Sequence, residues 1–167
     1  MLSQPDFRAY ERAFQMMSQV AGRAGRKGRR GLVILQTRQP RLPLIKQVME
    51  ADYESMYASQ MVERTAFRYP PVVRLINIYL KHRDERTCEE AAQTFAALVR
   101  PHFSGHLLGP DRPAVGRVQS LHIRKLMLKV DATLPPAGVR QTLLAARGVV
   151  LSQAAFKSVA LYFDVDP

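Results

Sequence analysis

The sequence has 167 residues, a net charge of +11 and a hydrophobic fraction of 47%. This length allows one domain, or one small domain with a piece of another, and the apolar content is enough for a packed core. The single cysteine, Cys88, excludes an intrachain disulfide and a cysteine zinc cluster. There is no signal peptide and no apolar run of membrane-spanning length, so we expect a cytoplasmic protein without a membrane partner.

The charge is distributed unevenly along the chain. Residues 12–49 contain nine Lys or Arg and no Asp or Glu, and residues 50–100 are close to balance. Residues 101–167 contain eight basic and four acidic residues. The first segment and, more weakly, the last are therefore the regions that we expect to face a polyanion.

Residues 1–66 are predicted to form helices around one short strand. Apolar side chains recur at helical spacing from about residue 7 to residue 21 and predict a helix that breaks at Gly22. The β-branched run at 31–37 predicts a buried parallel strand. A second helical pattern extends from about 44 to 66 and must end before Pro70–Pro71, which we take as the domain boundary.

Residues 67–167 are predicted to form a small α/β unit. Strands are expected at 72–81, 107–110, 121–130 and 158–165, with a loop or hairpin at 113–120. The first helix begins at Asp84 or Thr87. The second begins at Pro135–Pro136, ends near Gly148 and turns Val139, Leu143 and Leu144 inward. The resulting order, β-α-β-β-α-β with antiparallel pairs, predicts an α/β sandwich with its helices on one face.

One side of the strand at 121–130 is basic. Alternation places Leu126, Leu128 and Val130 on one side and Lys125, Met127 and Lys129 on the other. The basic side is a candidate phosphate-contacting patch together with Arg117, His122 and Arg124. A basic strand face that is merely solvated is the alternative.

The segment Gln19-Val20-Ala21-Gly22-Arg23-Ala24-Gly25-Arg26 combines two glycines with two arginines three residues apart. Glycines allow a backbone to approach a ligand closely. Two guanidiniums on the same side of a chain suit a polyphosphate, because their planar donors match phosphate oxygens. A solvated basic loop is the alternative interpretation of such a run.

The pattern Gln-x-x-Gly-Arg-x-Gly-Arg resembles motif VI of superfamily 2 helicases, which completes the ATP site from the second RecA-like lobe. Other segments resemble the carboxy-terminal part of the primosomal protein N′ family of replication-restart helicases. These segments are Gln4–Arg12, Phe14-Gln15, Arg68–Pro71, Leu108–Pro110, Met127–Lys129 and Asp164–Pro167. The resemblance implies an α/β chain in which 1–66 end helicase lobe 2 and 67–167 form a carboxy-terminal domain that binds DNA and protein.

The resemblance also assigns roles within the motif. Arg23 and Arg26 would contact the γ-phosphate of ATP, and Gln19 would orient water or phosphate. Gly22 and Gly25 would shape the ATP-binding loop. An arginine in this role stabilises charge that develops during phosphoryl transfer.

Intact members of this family are ATP-dependent helicases that move 3′ to 5′, bind stalled forks and reload the replication machinery. Their cofactors are ATP and magnesium, with zinc in a cysteine-rich module outside this chain. The chain has no Gly-x-x-x-x-Gly-Lys-Ser/Thr string and no metal-holding carboxylate pair after a strand. We therefore predict that the fragment alone binds no cofactor, hydrolyses no ATP and unwinds no DNA.

The partners implied by the resemblance are branched and single-stranded DNA, the acidic tail of single-stranded DNA-binding protein, and other primosome proteins. Position and charge suggest Arg117, Arg124, Lys125 and Lys129 for DNA, and Arg140 and Gln141 for the acidic tail. The family often has aromatic residues where this chain has His122-Ile123-Arg124-Lys125. We therefore expect phosphate contact rather than base stacking in this strand.

An alternative function is a stand-alone basic α/β module that binds nucleic acid without catalysis. Such a module would have no use for the arginine–glycine motif. A lone strand at 31–37 would also leave an unpaired sheet edge. If the chain is a helicase fragment, that edge could pair two copies of it.

Overall fold

A computed structural model describes residues 6–24 and 32–167 of the chain. The chain divides into two compact units, Met1–Phe67 and Arg68–Pro167. The predicted division between residues 66 and 67 lies one residue earlier. The assignment of the first unit to a helicase lobe stays a prediction. None of the described helices has the length and apolar character needed to cross a bilayer.

The described part of the first unit contains three helices, α1 (Ala9–Ala24), α2 (Pro43–Met49) and α3 (Tyr53–Ala66). Their small core consists of Ala13, Phe14, Leu44 and Met56. Polar contacts add to this packing. The Tyr10 hydroxyl donates to Gln47 Oε1 at 3.0 Å, and Arg64 Nη2 lies 2.7 Å from Glu11 Oε2.

The prediction of one continuous helix over 44–66 is wrong. Ala51 has a φ of 54°, in the left-handed region, and it separates α2 from α3. Asp52 then caps α3, because its carboxylate accepts a hydrogen bond from the backbone N–H of Ser55 at 2.9 Å. A left-handed residue cannot continue an α-helix, so the apolar stripe is divided between two helices.

The predicted strand at 31–37 is also not observed, although residue 31 lies outside the described residues. Residues 32–37 have no regular secondary structure. Leu32 and Ile34 are 85% and 83% exposed, whereas a buried strand was expected. A strand requires a neighbour for its backbone hydrogen bonds, and none of the described residues of this unit supplies one. Self-association through a strand edge therefore has no structural support here and stays a prediction.

The second unit contains a five-stranded sheet and two α-helices. The strands are β1 (Val73–His82), β2 (Leu107–Asp111), β3 (Arg117–Val118), β4 (Leu121–Asp131) and β5 (Ala160–Val165). The helices are α4 (Glu85–Val99) and α5 (Pro136–Ser152). The short β3 forms a hairpin with β4.

The strand order is β2-β4-β1-β5, and every pairing is antiparallel. Strands β1 and β2, which α4 connects, therefore run parallel with β4 inserted between them, a split β-α-β arrangement. The predicted α/β class and the order β-α-β-β-α-β are confirmed.

One face of this sheet packs against α4 and α5. Its core includes the fully buried side chains of Ile78, Leu80, Phe95, Leu126 and Leu128. The predicted cap of α4 is confirmed, because the Asp84 carboxylate accepts a hydrogen bond from the backbone N–H of Thr87 at 2.7 Å. We call the opposite face, which carries Lys125 and Lys129, the outer face.

Two predictions for α5 are wrong. The helix continues through Gly148 to Ser152 instead of ending at the glycine. Val150, one turn from the end, is fully buried in the core, and this burial offsets the cost of about 1 kcal/mol for a glycine inside a helix. Leu144 is exposed, whereas Val139 and Leu143 are buried as expected.

Candidate nucleic-acid interface

Lys125 and Lys129 lie on the outer face, as the alternation of β4 predicted. In the register of the sheet, Lys125 is opposite Tyr79 of β1 and Lys129 is opposite Leu75. Both lysines are partly exposed. Four residues of strand separate them by about 13 Å, a distance that a nucleic-acid backbone readily spans.

A tyrosine pair that no local sequence pattern predicts lies beside Lys125. Tyr79 of β1 is the direct register partner of Tyr162 of β5. Their ring centroids are 5.3 Å apart and the ring planes differ by 20°, so the rings are stacked. Tyr162 is 39% exposed and Tyr79 is partly exposed. Alternation along β1 and β5 gives the face of each ring, but only the strand order brings the two rings together.

A lysine lies on each side of the tyrosine pair. The Lys125 ammonium is 5.7 Å from the centroid of Tyr79, and the Lys81 ammonium is 5.0 Å from the centroid of Tyr162. Burial raises the pKa of Tyr79, and the charge of Asp164 raises it further. The Tyr79 hydroxyl is therefore a protonated phenol at neutral pH. The outer face thus combines aromatic rings with interleaved cations.

Lys129 lies beside a third tyrosine. Its ammonium lies 4.2 Å from the ring centroid of Tyr69, in the segment that enters β1. Burial lowers the pKa of Lys129, and the nearby Arg68 lowers it further. Its role in binding DNA stays a prediction.

Arg124 does not belong to this face, which corrects its place in the predicted patch. It is only 7% exposed and points toward α4. Its Nη2 donates to Glu85 Oε1 at 2.9 Å, and its Nε donates to Glu89 Oε2. These hydrogen bonds are the main cause of the lowered pKa of both carboxyl groups. A buried guanidinium requires such partners. Arg124 lies on the same face of β4 as Leu126, whereas Lys125 lies on the opposite face.

Arg117 lies in the hairpin at the start of β4. It is exposed, and its register partner is His122, which is partly buried. The structure therefore places Arg117 at the surface near the end of the sheet. Its solvent-exposed surroundings differ from the buried ones of Arg124. Its contact with DNA stays a prediction.

Gly109 fixes the position of β2 beside Lys125. Its φ is +89°, and a Cβ built at this position would be 2.8 Å from the carbonyl oxygen of Lys125. Arg100 Nη2 also donates to the Gly109 carbonyl oxygen at 2.9 Å. Because glycine alone fits both the φ and this close approach, β2 can pack directly against the backbone of β4.

A separate groove lies between α5 and the sheet. Its volume is about 340 Å³, and Arg74 and Arg140 are among its lining residues. The other lining residues are Ile76, Val130, Pro136, Val139, Leu143, Leu144, Phe163 and Val165. The groove therefore offers an apolar surface with two cations. Arg140 lines this groove, whereas Gln141 is exposed and is not among the lining residues. The tail-binding roles of both residues stay predictions.

The arginine–glycine motif is only partly within the described residues. Gln19, Gly22 and Arg23 are exposed on the last turns of α1, which continues to Ala24 instead of breaking at Gly22. Gln19 and Arg23 are four residues apart on this helix and therefore share a face. Gly25 and Arg26 lie outside the described residues. The ATP-site roles of all five residues stay predictions.

Residues 6–24 and 32–167 contain no group of three or more His, Cys, Asp or Glu side chains that could hold a metal ion. Cys88 is buried in α4, and burial raises the pKa of its thiol. The expectations for ATP, magnesium and zinc concern the intact family member and stay predictions.

A split β-α-β sheet with helices on one face and aromatic and basic side chains on the other is typical of domains that bind single-stranded nucleic acid. Comparison with known proteins then gives the family. The family profile described as the primosomal protein N C-terminal domain matches residues 65–167. The chain belongs to the primosomal protein N family.

Similar proteins extend the match into the first unit. The replication restart protein PriA of Treponema pallidum is 37% identical over 133 residues, which are 78% of this chain and 20% of that protein. Its namesake in Synechocystis is 32% identical over 169 residues, covering 100% of this chain and 19% of that protein. The Bacillus subtilis protein of this name is 31% identical and covers 98% of the chain and 20% of its own length. The chain thus spans about a fifth of the length of these relatives.

Proposed function

We propose that this chain is the carboxy-terminal part of an ATP-dependent 3′–5′ DNA helicase that recognises stalled replication forks and restarts replication. Membership of the family and the match to replication restart proteins support a role in restart. The observation that carries the DNA-binding part of the proposal is the outer face, where Lys125 lies beside a stacked tyrosine pair, with Tyr162 exposed and Tyr79 partly exposed. The same proposal includes other primosome proteins as partners of the intact protein and the bacterial cytoplasm as its location.

In this function Lys125, Lys129 and Arg117 contact the DNA phosphates. Each phosphate contact releases counterions, so the logarithm of affinity falls with the logarithm of salt by about 0.9 per contact on duplex DNA and about 0.7 on single strands. Arg124 makes no such contact, because it is buried between Glu85 and Glu89.

The test is salt-dependent binding of the chain to a labelled fork and to single-stranded DNA. Changing Lys125→Glu and Lys129→Glu together should reduce affinity and flatten the salt dependence. A matched control changes Arg147→Glu and Lys157→Glu, which removes the same charge at exposed positions of α5 and of the segment after it. Equal losses in both double variants would show that net charge, and not the outer face, determines binding.

The alternative, a stand-alone basic module without catalysis, differs in its first unit. In the proposed function the ATP-site residues act only in the intact protein. There Arg23 and Arg26 contact the γ-phosphate of ATP and Gln19 orients water or phosphate. Gly22 and Gly25 shape the ATP-binding loop. The chain alone should therefore hydrolyse no ATP above background, with or without forked DNA. Measurable hydrolysis by the purified chain would contradict this division of the ATP site.

The groove between α5 and the sheet favours a second role, the docking of an acidic tail such as that of single-stranded DNA-binding protein. Arg140 and Arg74 can attract carboxylates while the apolar lining accepts a hydrophobic side chain. Arg140→Ala should weaken binding of an acidic tail peptide by about tenfold, measured by calorimetry, because it removes a charge at the groove. Gln141→Ala tests the second candidate, and a larger effect there would place the peptide outside the groove.

A further inference from the structure

We propose that Tyr79 and Tyr162 form a base-stacking site for single-stranded DNA on the outer face. This inference rests on the proposed function, because DNA must reach this face. It goes beyond that function in assigning the contact to the bases as well as to the phosphates. It also replaces the expectation of phosphate contact alone, which considered only β4.

The tyrosine pair is arranged before any ligand binds. The rings belong to directly opposed residues, stand 5.3 Å apart and are close to parallel. Each ring therefore restricts the rotation of the other, and a base that stacks on them does not have to order them. A nucleobase has a flat π-face whatever its identity, so the site accepts DNA without strong sequence preference.

The two lysines are positioned to follow the phosphates when a base enters. The Lys125 ammonium, at 5.7 Å from the ring centroid of Tyr79, is near the outer limit of about 6 Å for a cation–π contact. Lys81 is closer to Tyr162, at 5.0 Å, and it too is partly exposed on a flexible stem. A base can take the place of either ammonium on a ring, and the displaced lysine can then pair with the adjacent phosphate.

Acidic groups limit the direction of the DNA strand. Asp164 raises the pKa of Tyr79 through its charge, and Asp111 is the register partner of Lys125 on β2. Both carboxylates repel phosphates. The favourable path over the tyrosine pair therefore passes the two lysines and avoids Asp164, which lies two residues beyond Tyr162 on β5.

The experiment compares two labelled oligonucleotides of equal length, oligo-dT and a fully abasic strand, bound by the whole 167-residue chain at one salt concentration. Both strands carry the same phosphates, but only oligo-dT can stack. We expect the chain to bind oligo-dT at least fivefold more tightly, the lower end of the effect of one stacked base. Fluorescence anisotropy measures both affinities.

Tyr79→Leu with Tyr162→Leu should abolish this preference and leave affinity for the abasic strand unchanged within about twofold. Tyr79→Phe with Tyr162→Phe should restore the preference, because phenylalanine stacks without a hydroxyl. The control is Tyr53→Leu with Tyr57→Leu, which removes a second exposed and stacked tyrosine pair, in α3. This control should keep the preference for oligo-dT.

A measurement on the unaltered chain does not depend on the folding of a variant. The chain has six tyrosines and no tryptophan, so its intrinsic fluorescence reports on tyrosine. Oligo-dT should quench this fluorescence and the abasic strand should not. Equal affinity for the two strands with no quenching overturns the stacking site while leaving phosphate binding intact. No binding to either strand or to forked DNA overturns the proposed DNA-binding function as well.

Discussion

Arg124 and Lys125 are adjacent cations on the same strand, yet their surroundings differ completely. Arg124 lies under α4 between two carboxylates, and Lys125 lies on the outer face beside a tyrosine ring. The two-residue period of a β-strand is the whole cause of this difference. Whether a basic residue of a strand stabilises the fold or is available for binding therefore depends on which face of the sheet it lies on. A count of charges along the strand does not reveal that face.

Arg124→Met tests the covered side and should have the largest effect. The substitution keeps an apolar stem of similar length but removes the closest cation of Glu85 and Glu89, which keep weaker contacts with Arg112 and Gln93 respectively. Breaking a fully buried ion pair is strongly destabilising, and we expect a smaller but clearly measurable loss here because both carboxylates are partly solvated. Urea unfolding measures the loss.

The control for this variant is Arg86→Met, which breaks an exposed pair with Glu90 on the same helix as Glu85 and Glu89. This change should cost much less stability than Arg124→Met, because solvent screens the exposed pair. Where Arg124→Met remains folded, its DNA affinity should keep the salt dependence of the unaltered chain. A flattened dependence would return Arg124 to the DNA-binding surface.

Gly109→Ala should have the next largest effect, because it disturbs β2 where it approaches the backbone of Lys125. The positive φ and the short approach to the Lys125 carbonyl together should cost about 1 to 3 kcal/mol. Gly105→Ala is a matched control, since Gly105 has a φ of +72° but nothing within 4 Å of an added Cβ. Equal losses of unfolding free energy in the two variants, measured in urea, would mean that the close approach of residue 109 to the Lys125 carbonyl oxygen does not affect stability.

Acid should reduce the difference in the free energy of unfolding between the unaltered chain and Arg124→Met. Hydrogen bonds from Arg124 hold the pKa of Glu85 and Glu89 below the usual value for glutamate. The stability that this gives is complete above the unfolded pKa of about 4.3 and is lost as the pH falls through the folded value. Unfolding at pH 7, 5, 4 and 3 should therefore show a gap that narrows below about pH 4, and a constant gap would contradict this origin.

Lys125→Gln should have the smallest effect on stability, under about 0.5 kcal/mol, because the side chain is partly exposed. Its effect should appear in binding, as a salt dependence reduced by about 0.7 on single-stranded DNA. The same variant should bind the abasic strand less tightly too. A loss of stability comparable to that of Arg124→Met would remove the distinction between the two sides of β4.

Local patterns predicted most of the second unit. The Asp84 cap, the strands and the helix-covered side of β4 follow from capping and alternation, which involve neighbours in sequence. The break at Ala51 was not predicted, because the apolar stripe continues through a residue whose left-handed φ has no clear sequence signal. Grouping Arg124 with Lys125 by charge was wrong although the alternation of β4 already separated them.

The tyrosine pair shows where prediction from the sequence must stop. Tyr79 and Tyr162 are brought together only by the pairing of β1 with β5, and no local pattern specifies that strand order. The segment at 32–37 shows the converse. Its composition favours a strand, but a strand does not form without a neighbouring backbone.

The pairing of β1 with β5 also has a consequence for the order in which this domain can fold during synthesis. Strand β1 emerges from the ribosome long before residues 160–165 exist, so one of its edges stays unpaired while most of the unit is being made. Contacts so distant in sequence form late and slowly. The nascent domain therefore has an unpaired β1 edge until residues 160–165 have been synthesised, and any surface that uses Tyr162 is among the last features of this unit to form.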